Sequence, residues 1–130
     1  MSHKSKFNYI IFHRGCLDGF SSYFVSHISG RLTKDVEIYP DVPSTYKIPP
    51  NIAGKDVLIA DVAYKKQILE EIFKMASSVV FIDHHPSIKN DVDELYKKYN
   101  NKGNITIIYD ESRCGATLTW KYFNGRDKIP

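Results

Sequence analysis

Three adjacent polar side chains, Asp83-His84-His85, follow directly on the apolar run Ser78-Val79-Val80-Phe81-Ile82. An acid and two imidazoles suit a divalent cation. A buried strand that ends on them projects them into the crevice beyond the carboxyl edge of a sheet, where α/β proteins bind ligands. The structural alternative is a solvated loop whose acid caps the segment that follows. Two other strand-like runs end in the same kind of chemistry: Phe7 to Phe12 delivers His13, with Asp18 in the turn beyond it, and Asp56 to Ala60 delivers Asp61. Parallel strands align their carboxyl ends along one edge, so His13, Asp18, Asp61, Asp83 and His84 converge there although they are distant in sequence. Taken singly, Asp18 and Asp61 read as helix caps and His13 as a hydrogen-bonded strand-end histidine. Their recurrence at successive strand ends favours a metal centre.

Imidazoles and carboxylates without a CxxC pair disfavour a structural zinc knuckle and suit one or two open-site divalent ions, with manganese, magnesium, iron and zinc all chemically admissible. Two ions sharing a bridging carboxylate, about 3.5–4 Å apart, activate a water and neutralise the charge that develops on a phosphoester. In the turn after the first strand, Arg14 offers a cation and Gly15 a close backbone approach to a phosphate, although an exposed turn arginine is as often solvated. His27 falls on a helical stripe and His3 in a polar tail, so neither is counted as a ligand.

The elements that must position these groups alternate regularly. Strands are expected at Phe7 to Phe12, Val36 to Tyr39, Asp56 to Ala60, Val79 to Ile82 and Ile105 to Tyr109. Helices are expected at Asp18 to Ser29, with Phe20, Tyr23, Phe24, His27 and Ile28 in a stripe that Gly30 ends, and at Lys65 to Ala76 through Ile68, Leu69, Ile72 and Phe73. Two more follow at Asp91 to Tyr99, through Val92, Leu95, Tyr96 and Tyr99, and at Ser112 to Phe123, with Ala116, Trp120 and Phe123 spaced to bury. Pro40, Pro43, Pro49 and Pro50 mark an irregular connection that reads as a surface crossing. This order predicts an α/β fold: a single domain with a five-stranded, mainly parallel sheet and helices on both faces.

At 130 residues, 42% hydrophobic and 25% charged, the chain is long enough for one core and too apolar for long disorder. The nine Tyr, seven Phe and one Trp fall mostly on core periodicities. Eighteen basic residues are scattered among fifteen acids for a net charge of +3, with no polybasic tract. That gives no strong duplex nucleic-acid signal and leaves local phosphate recognition. Cys16 and Cys114 sit in polar motifs, which fits reduced thiols and a cytoplasmic setting (host cytoplasm for a viral source). The polar stretch Met1 to Lys6 predicts neither a signal peptide nor a membrane anchor.

With these motifs in order, the sequence resembles the DHH phosphoesterase superfamily, metal-dependent phosphoesterases named for their Asp-His-His motif. The resemblance covers nearly the whole chain. Asp83-His84-His85 matches the naming motif, and Ile59-Ala60-Asp61 resembles the motif that ends in a metal-bridging aspartate. His13-Arg14-Gly15-Cys16-Leu17-Asp18-Gly19-Phe20 is similar to the first motif, and Ser112-Arg113-Cys114-Gly115-Ala116-Thr117 to a small-residue helix start after the fifth strand. The resemblance implies His13, Asp18, Asp61 and His84 as metal ligands, with Asp61 as the bridge. It implies Asp83 as an orienting or assisting catalytic group and His85 as a catalytic residue touching the scissile phosphate or the attacking water.

Two departures stand out. Where the usual first motif has two aspartates separated by one residue, this chain has Cys16-Leu17-Asp18, so an oxygen ligand is replaced by a thiol or lost. The sequence also stops at Pro130, before a later aspartate and the small C-terminal substrate domain found in many relatives. A single DHH-like domain over residues 1–130 is expected, with a homodimer or a separate chain completing the site. The expected activity is hydrolysis of short oligonucleotides or other small nucleotide phosphodiesters by a metal-activated water. Manganese is the first expectation and magnesium the second, as one or two ions. The alternatives are a pyrophosphatase- or polyphosphatase-like hydrolase and a catalytically impaired nucleotide- or partner-binding domain.

Overall fold

The computed structural model describes residues 6–42, 47–99 and 103–125; the polar tail with His3 and the expected bend at Pro43 lie outside them. The elements run β1 (Phe7–His13), α1 (Leu17–Ile28), β2 (Leu32–Asp41), β3 (Asp56–Ala60), α2 (Lys66–Met75), β4 (Ser78–Asp83), a 3-10 turn (Pro86–Ile88), α3 (Lys89–Tyr99), β5 (Ile105–Tyr109) and α4 (Gly115–Asn124). The strands form one five-stranded sheet in the order β2-β1-β3-β4-β5, and every neighbouring pair is parallel. This is the α/β architecture expected from the alternation of strand and helix signals.

Sheet order decides where the crevice lies. From β1 the chain steps outward to β2 and then crosses back to β3 on the other side, so the connections diverge between β1 and β3. A ligand crevice opens at such a switch point, beyond the carboxyl ends of the strands. His13 closes β1 and Asp61 follows β3, one on either side of it.

Period-two alternation divides the core between two layers. Tyr9, Ile11, Val57, Ile59, Val79 and Phe81 face α2 and α3, meeting Leu69, Ile72, Phe73, Val92 and Leu95. Ile10, Leu58, Val80 and Ile82 face α1 and α4, meeting Leu118, Tyr23, Tyr122 and Phe123. Each fully buried side chain of this kind contributes about 1.5–3 kcal/mol, which rigidifies the strand ends carrying the polar residues. Among the described residues no helix is long and apolar enough to cross a membrane.

Several expectations change. Most of the α1 stripe faces out: Phe20, Phe24, His27 and Ile28 are exposed, with Leu17 beside them, while Tyr23 packs half-buried on the core, and the buried face is Gly19, Ser22, Val25 and Ser26. The reason is contact distance. A Cβ on Gly19 would lie 2.3 Å from the His13 carbonyl oxygen, so only this face lets α1 lie against the end of β1. Ser22 and Ser26 satisfy their hydroxyls on the Asp18 and Ser22 carbonyls, at 2.9 and 2.8 Å, and so bury at little polar cost.

The proline-bearing connection is more than a surface crossing, because Ile52 is fully buried and the Pro50 carbonyl accepts the Tyr9 hydroxyl at 2.7 Å. Strand β2 runs well beyond Val36 to Tyr39 and includes Pro40, which an edge strand tolerates. Finally, α4 begins at Gly115 rather than Ser112, and Trp120 and Phe123 are only half-buried. Asp110 holds Ser112 and Arg113 in a turn, its carboxylate accepting the Ser112 N–H at 2.9 Å and the Arg113 Nε–H at 3.2 Å.

Candidate metal centre

Three strand ends supply the polar groups. β1 ends on His13; the Arg14 N–H then donates to the Asp41 carbonyl at 2.8 Å, and Gly15 turns the chain at φ +73° so that Cys16 opens α1. Asp61 adopts a left-handed backbone, φ +67°, while its N–H extends the ladder to the Ile82 carbonyl at 3.0 Å. A non-glycine residue held there costs of order 1 kcal/mol. β4 ends on Asp83 and delivers His84 and His85.

Asp61 is the hub. Its Oδ1 lies 2.7 Å from His84 Nε2 and 4.0 Å from His85 Nε2, and its Oδ2 lies 4.0 Å from Cys16 Sγ. Burial, and then the charge of Asp18, push the Asp61 carboxyl up to about 6, with His84 pulling the other way. Asp61 is 1% exposed, so an ionised carboxylate here is costly until a cation joins it.

Asp83 is fully buried, and its Oδ1 lies 2.7 Å from His85 Nδ1. The Tyr109 hydroxyl donates to the His85 carbonyl at 2.8 Å, fixing the backbone beneath that ring. Rings of His84 and His85 lie 4.4 Å apart, centre to centre. Among the described residues three buried side-chain polar atoms have no hydrogen-bond partner, and two of them, His13 Nδ1 and Asp83 Oδ2, lie in this centre; the third is Trp120 Nε1 on α4. Such atoms are rare in folded proteins and each calls for a ligand, an ion or water.

Two groups of donor atoms, each within 4.8 Å of one another, meet at Asp61: Asp61 with Asp83, His84 and His85, and Asp61 with His13 and Cys16. A carboxylate common to two donor groups is the arrangement that bridges paired ions. Asp18 behaves differently from its sequence expectation. Its Oδ2 and Oδ1 accept the Gly115 and Ala116 N–H groups at 2.8 and 2.9 Å, capping α4 across space, and Oδ2 is 3.2 Å from His84 Nε2. It belongs to neither donor group, and it holds His84 and α4 together.

Arg14 and Gly15 lie exposed on the loop after β1, at the rim of the centre. Among the described residues, then, His13, Asp61, Asp83, His84 and His85 are brought together, Cys16 joins them, and Asp18 stands beside them as a clamp.

No model of a known protein family matches the chain, and no solved structure matches it. The chain is similar to "Uncharacterized protein R106" of Acanthamoeba polyphaga mimivirus, at 22% identity over 139 aligned residues that take in 98% of this chain. It spans 31% of that relative's length.

Tyr109 was missed in the sequence, as were Asp41 and Tyr64. Asp41 ends β2 in register with His13, and its Oδ2 accepts the Tyr64 hydroxyl at 2.6 Å. The strand-end rule that flags His13 also reaches Asp41 and Tyr109, because both close strands on the same edge. Gly19 and Gly115 act by their lack of a side chain: a Cβ on Gly115 would lie 2.9 Å from the Asp61 Cγ.

Proposed function

We propose that this chain is a divalent-metal-dependent phosphoesterase of the DHH type, acting on short oligonucleotides or other small nucleotide phosphodiesters. The observation that carries the reading is Asp61: a buried carboxylate shared by two donor groups at a topological switch point. The donor set fits divalent ions, since it combines imidazoles, carboxylates and two buried atoms lacking partners. Manganese leads and magnesium follows. Bound there, such ions would acidify a water and neutralise phosphoryl charge.

The protein's own part is to bind, orient and hold protons. Asp61 and His84 provide the shared ligand and its neighbour. Asp83 holds His85 Nδ1, so that with an ionised Asp83 the other ring nitrogen presents a lone pair on the Asp61 side. His85 is thereby set to take a proton from an attacking water or to bond a phosphoryl oxygen. Arg14 and the Gly15 backbone, on the rim, offer a cation and a close approach to the rest of the phosphate.

Purified protein with added manganese should hydrolyse a short RNA oligomer or a chromogenic phosphodiester, and Asp61→Ala should abolish turnover. Equal turnover by that variant overturns the assignment. One observation favours a second reading, a domain that binds nucleotide without cleaving it: Asp18, expected as a ligand, accepts an α4 N–H on each oxygen and belongs to neither donor group. Nucleotide binding that is independent of metal, with no turnover across a phosphoester panel, would select that reading.

A further inference from the structure

The two donor groups that meet at Asp61 differ in chemistry. One offers only nitrogen and oxygen, from Asp61, Asp83, His84 and His85; the other adds sulfur, from Cys16, to His13 and Asp61. We propose that the His13–Cys16–Asp61 group is a thiolate-bearing cation site that selects a borderline-soft divalent ion, zinc, iron(II) or cobalt(II), while the neighbouring group takes manganese or magnesium. The centre is then built for two unlike ions. This rests on the metal-dependent reading above and deepens it.

Cys16 occupies the N-cap of α1, where a side chain ordinarily turns back to bond the first N–H groups of its own helix. It makes no such bond. Its backbone is extended, φ −122° and ψ 131°, and its Sγ lies 4.0 Å from Asp61 Oδ2. Gly15, at φ +73°, supplies the turn that aims it there.

The second, independent observation is His13, whose Nδ1 is buried without a partner. Metal–sulfur and metal–oxygen bonds of about 2.3 and 2.1 Å at a tetrahedral angle separate S and O by roughly 3.6 Å. The observed spacing therefore closes on an ion with a shift of about half an ångström. Thiolate ligands favour zinc and iron and bind magnesium and manganese poorly, which sets the selectivity.

The other thiol behaves as an ordinary surface group. Cys114 is exposed, and its Sγ lies 3.1 Å from Thr117 Oγ1 within its own helical turn. It serves as the internal control.

Cobalt(II) titration of the full chain reads the site without any assay of hydrolysis. The expected spectrum contains near-ultraviolet thiolate-to-cobalt charge-transfer absorption, retained in Cys114→Ser and lost in Cys16→Ser. Cys16→Ser should weaken zinc binding at least tenfold and change manganese binding less than threefold. Cys16→Asp, which restores an oxygen donor at the same position, should invert the preference towards manganese and guards against a serine variant that fails to fold. A wild-type cobalt complex without the charge-transfer band, or a band that survives Cys16→Ser, overturns the proposal. The two readings separate cleanly: a band with no phosphodiester turnover removes the function and keeps the site, whereas manganese-dependent turnover with no band does the reverse.

Discussion

Gly115 at the start of α4 and Asp61 beyond β3 touch so closely that a single methyl group would separate them: a Cβ on Gly115 would stand 2.9 Å from the Asp61 Cβ, Cγ and Oδ1. The absence of a side chain at one residue thus fixes the position of the central carboxylate. Gly115→Ala should destabilise the fold by about 1–3 kcal/mol through overpacking and weaken manganese binding at least tenfold. Chemical denaturation and calorimetric titration measure the two effects. An alanine variant with unchanged metal affinity would show that Asp61 is held by other contacts.

On α1 the larger side chain matters less than the smallest. Gly19→Ala drives a Cβ to 2.3 Å from the His13 carbonyl oxygen, and should cost at least 2 kcal/mol or prevent folding. Phe24→Ser removes a ring that is 52% exposed and should change stability by less than about 1 kcal/mol. Urea midpoints of the two variants decide the ranking, and a reversed order would restore the aromatic stripe to the core.

Acidity at the centre is expected to oppose stability and favour binding in the same interval. Folding raises the Asp61 carboxyl from 3.8 to about 6, so ionising it costs the folded state more than the unfolded one. Without metal, this group's contribution makes stability fall as pH rises from about 4 through about 6 and level off above, a loss of roughly 2–3 kcal/mol. Metal affinity runs the opposite way, rising through the same window as the proton is released. Asp61→Asn should raise the metal-free Tm at pH 7.5, remove its share of the pH dependence and abolish stabilisation by manganese. Thermal melts across pH 4–8 with and without the ion test all three.

Asp83 acts on His85 alone within this centre's hydrogen bonds, at 2.7 Å. Asp83→Asn leaves a side chain of the same shape and removes the charge that holds the proton on His85 Nδ1. Turnover should fall by about 10–100-fold, while the Cys16-dependent cobalt band, whose donor group does not include Asp83, should be retained. The pH–rate profile should shift as well, a change that mere loosening of the fold would not produce.

Much of this was readable beforehand, for reasons visible in particular segments. β3 and β5 match their expected bounds because Asp56 to Ala60 and Ile105 to Tyr109 are apolar runs with sharp polar borders. His13, Asp61, Asp83, His84 and His85 were legible because a parallel sheet gathers its strand ends whatever separates them in sequence. The face of α1 was not. Periodicity assigns the bulkiest stripe to the interior, whereas here a steric limit at Gly19 selects the serine face. The contacts of Asp18 with the N–H groups of Gly115 and Ala116 were hidden for a related reason: no local pattern reveals a cap supplied from so far along the chain.

That same cap sets an order of events. Every residue of both donor groups has been made once His85 is joined to the chain, yet Asp18 has its N–H partners only when α4 exists, at sequence separations of 97 and 98 residues. Contacts that span such distances form late, because the intervening chain must be closed into place first. During synthesis the early strands can pair and the ligands can gather while the clamp on His84 is still missing. On the metal-dependent reading, tight binding of an ion would therefore wait for α4, and a nascent chain would present its donor groups before it could use them.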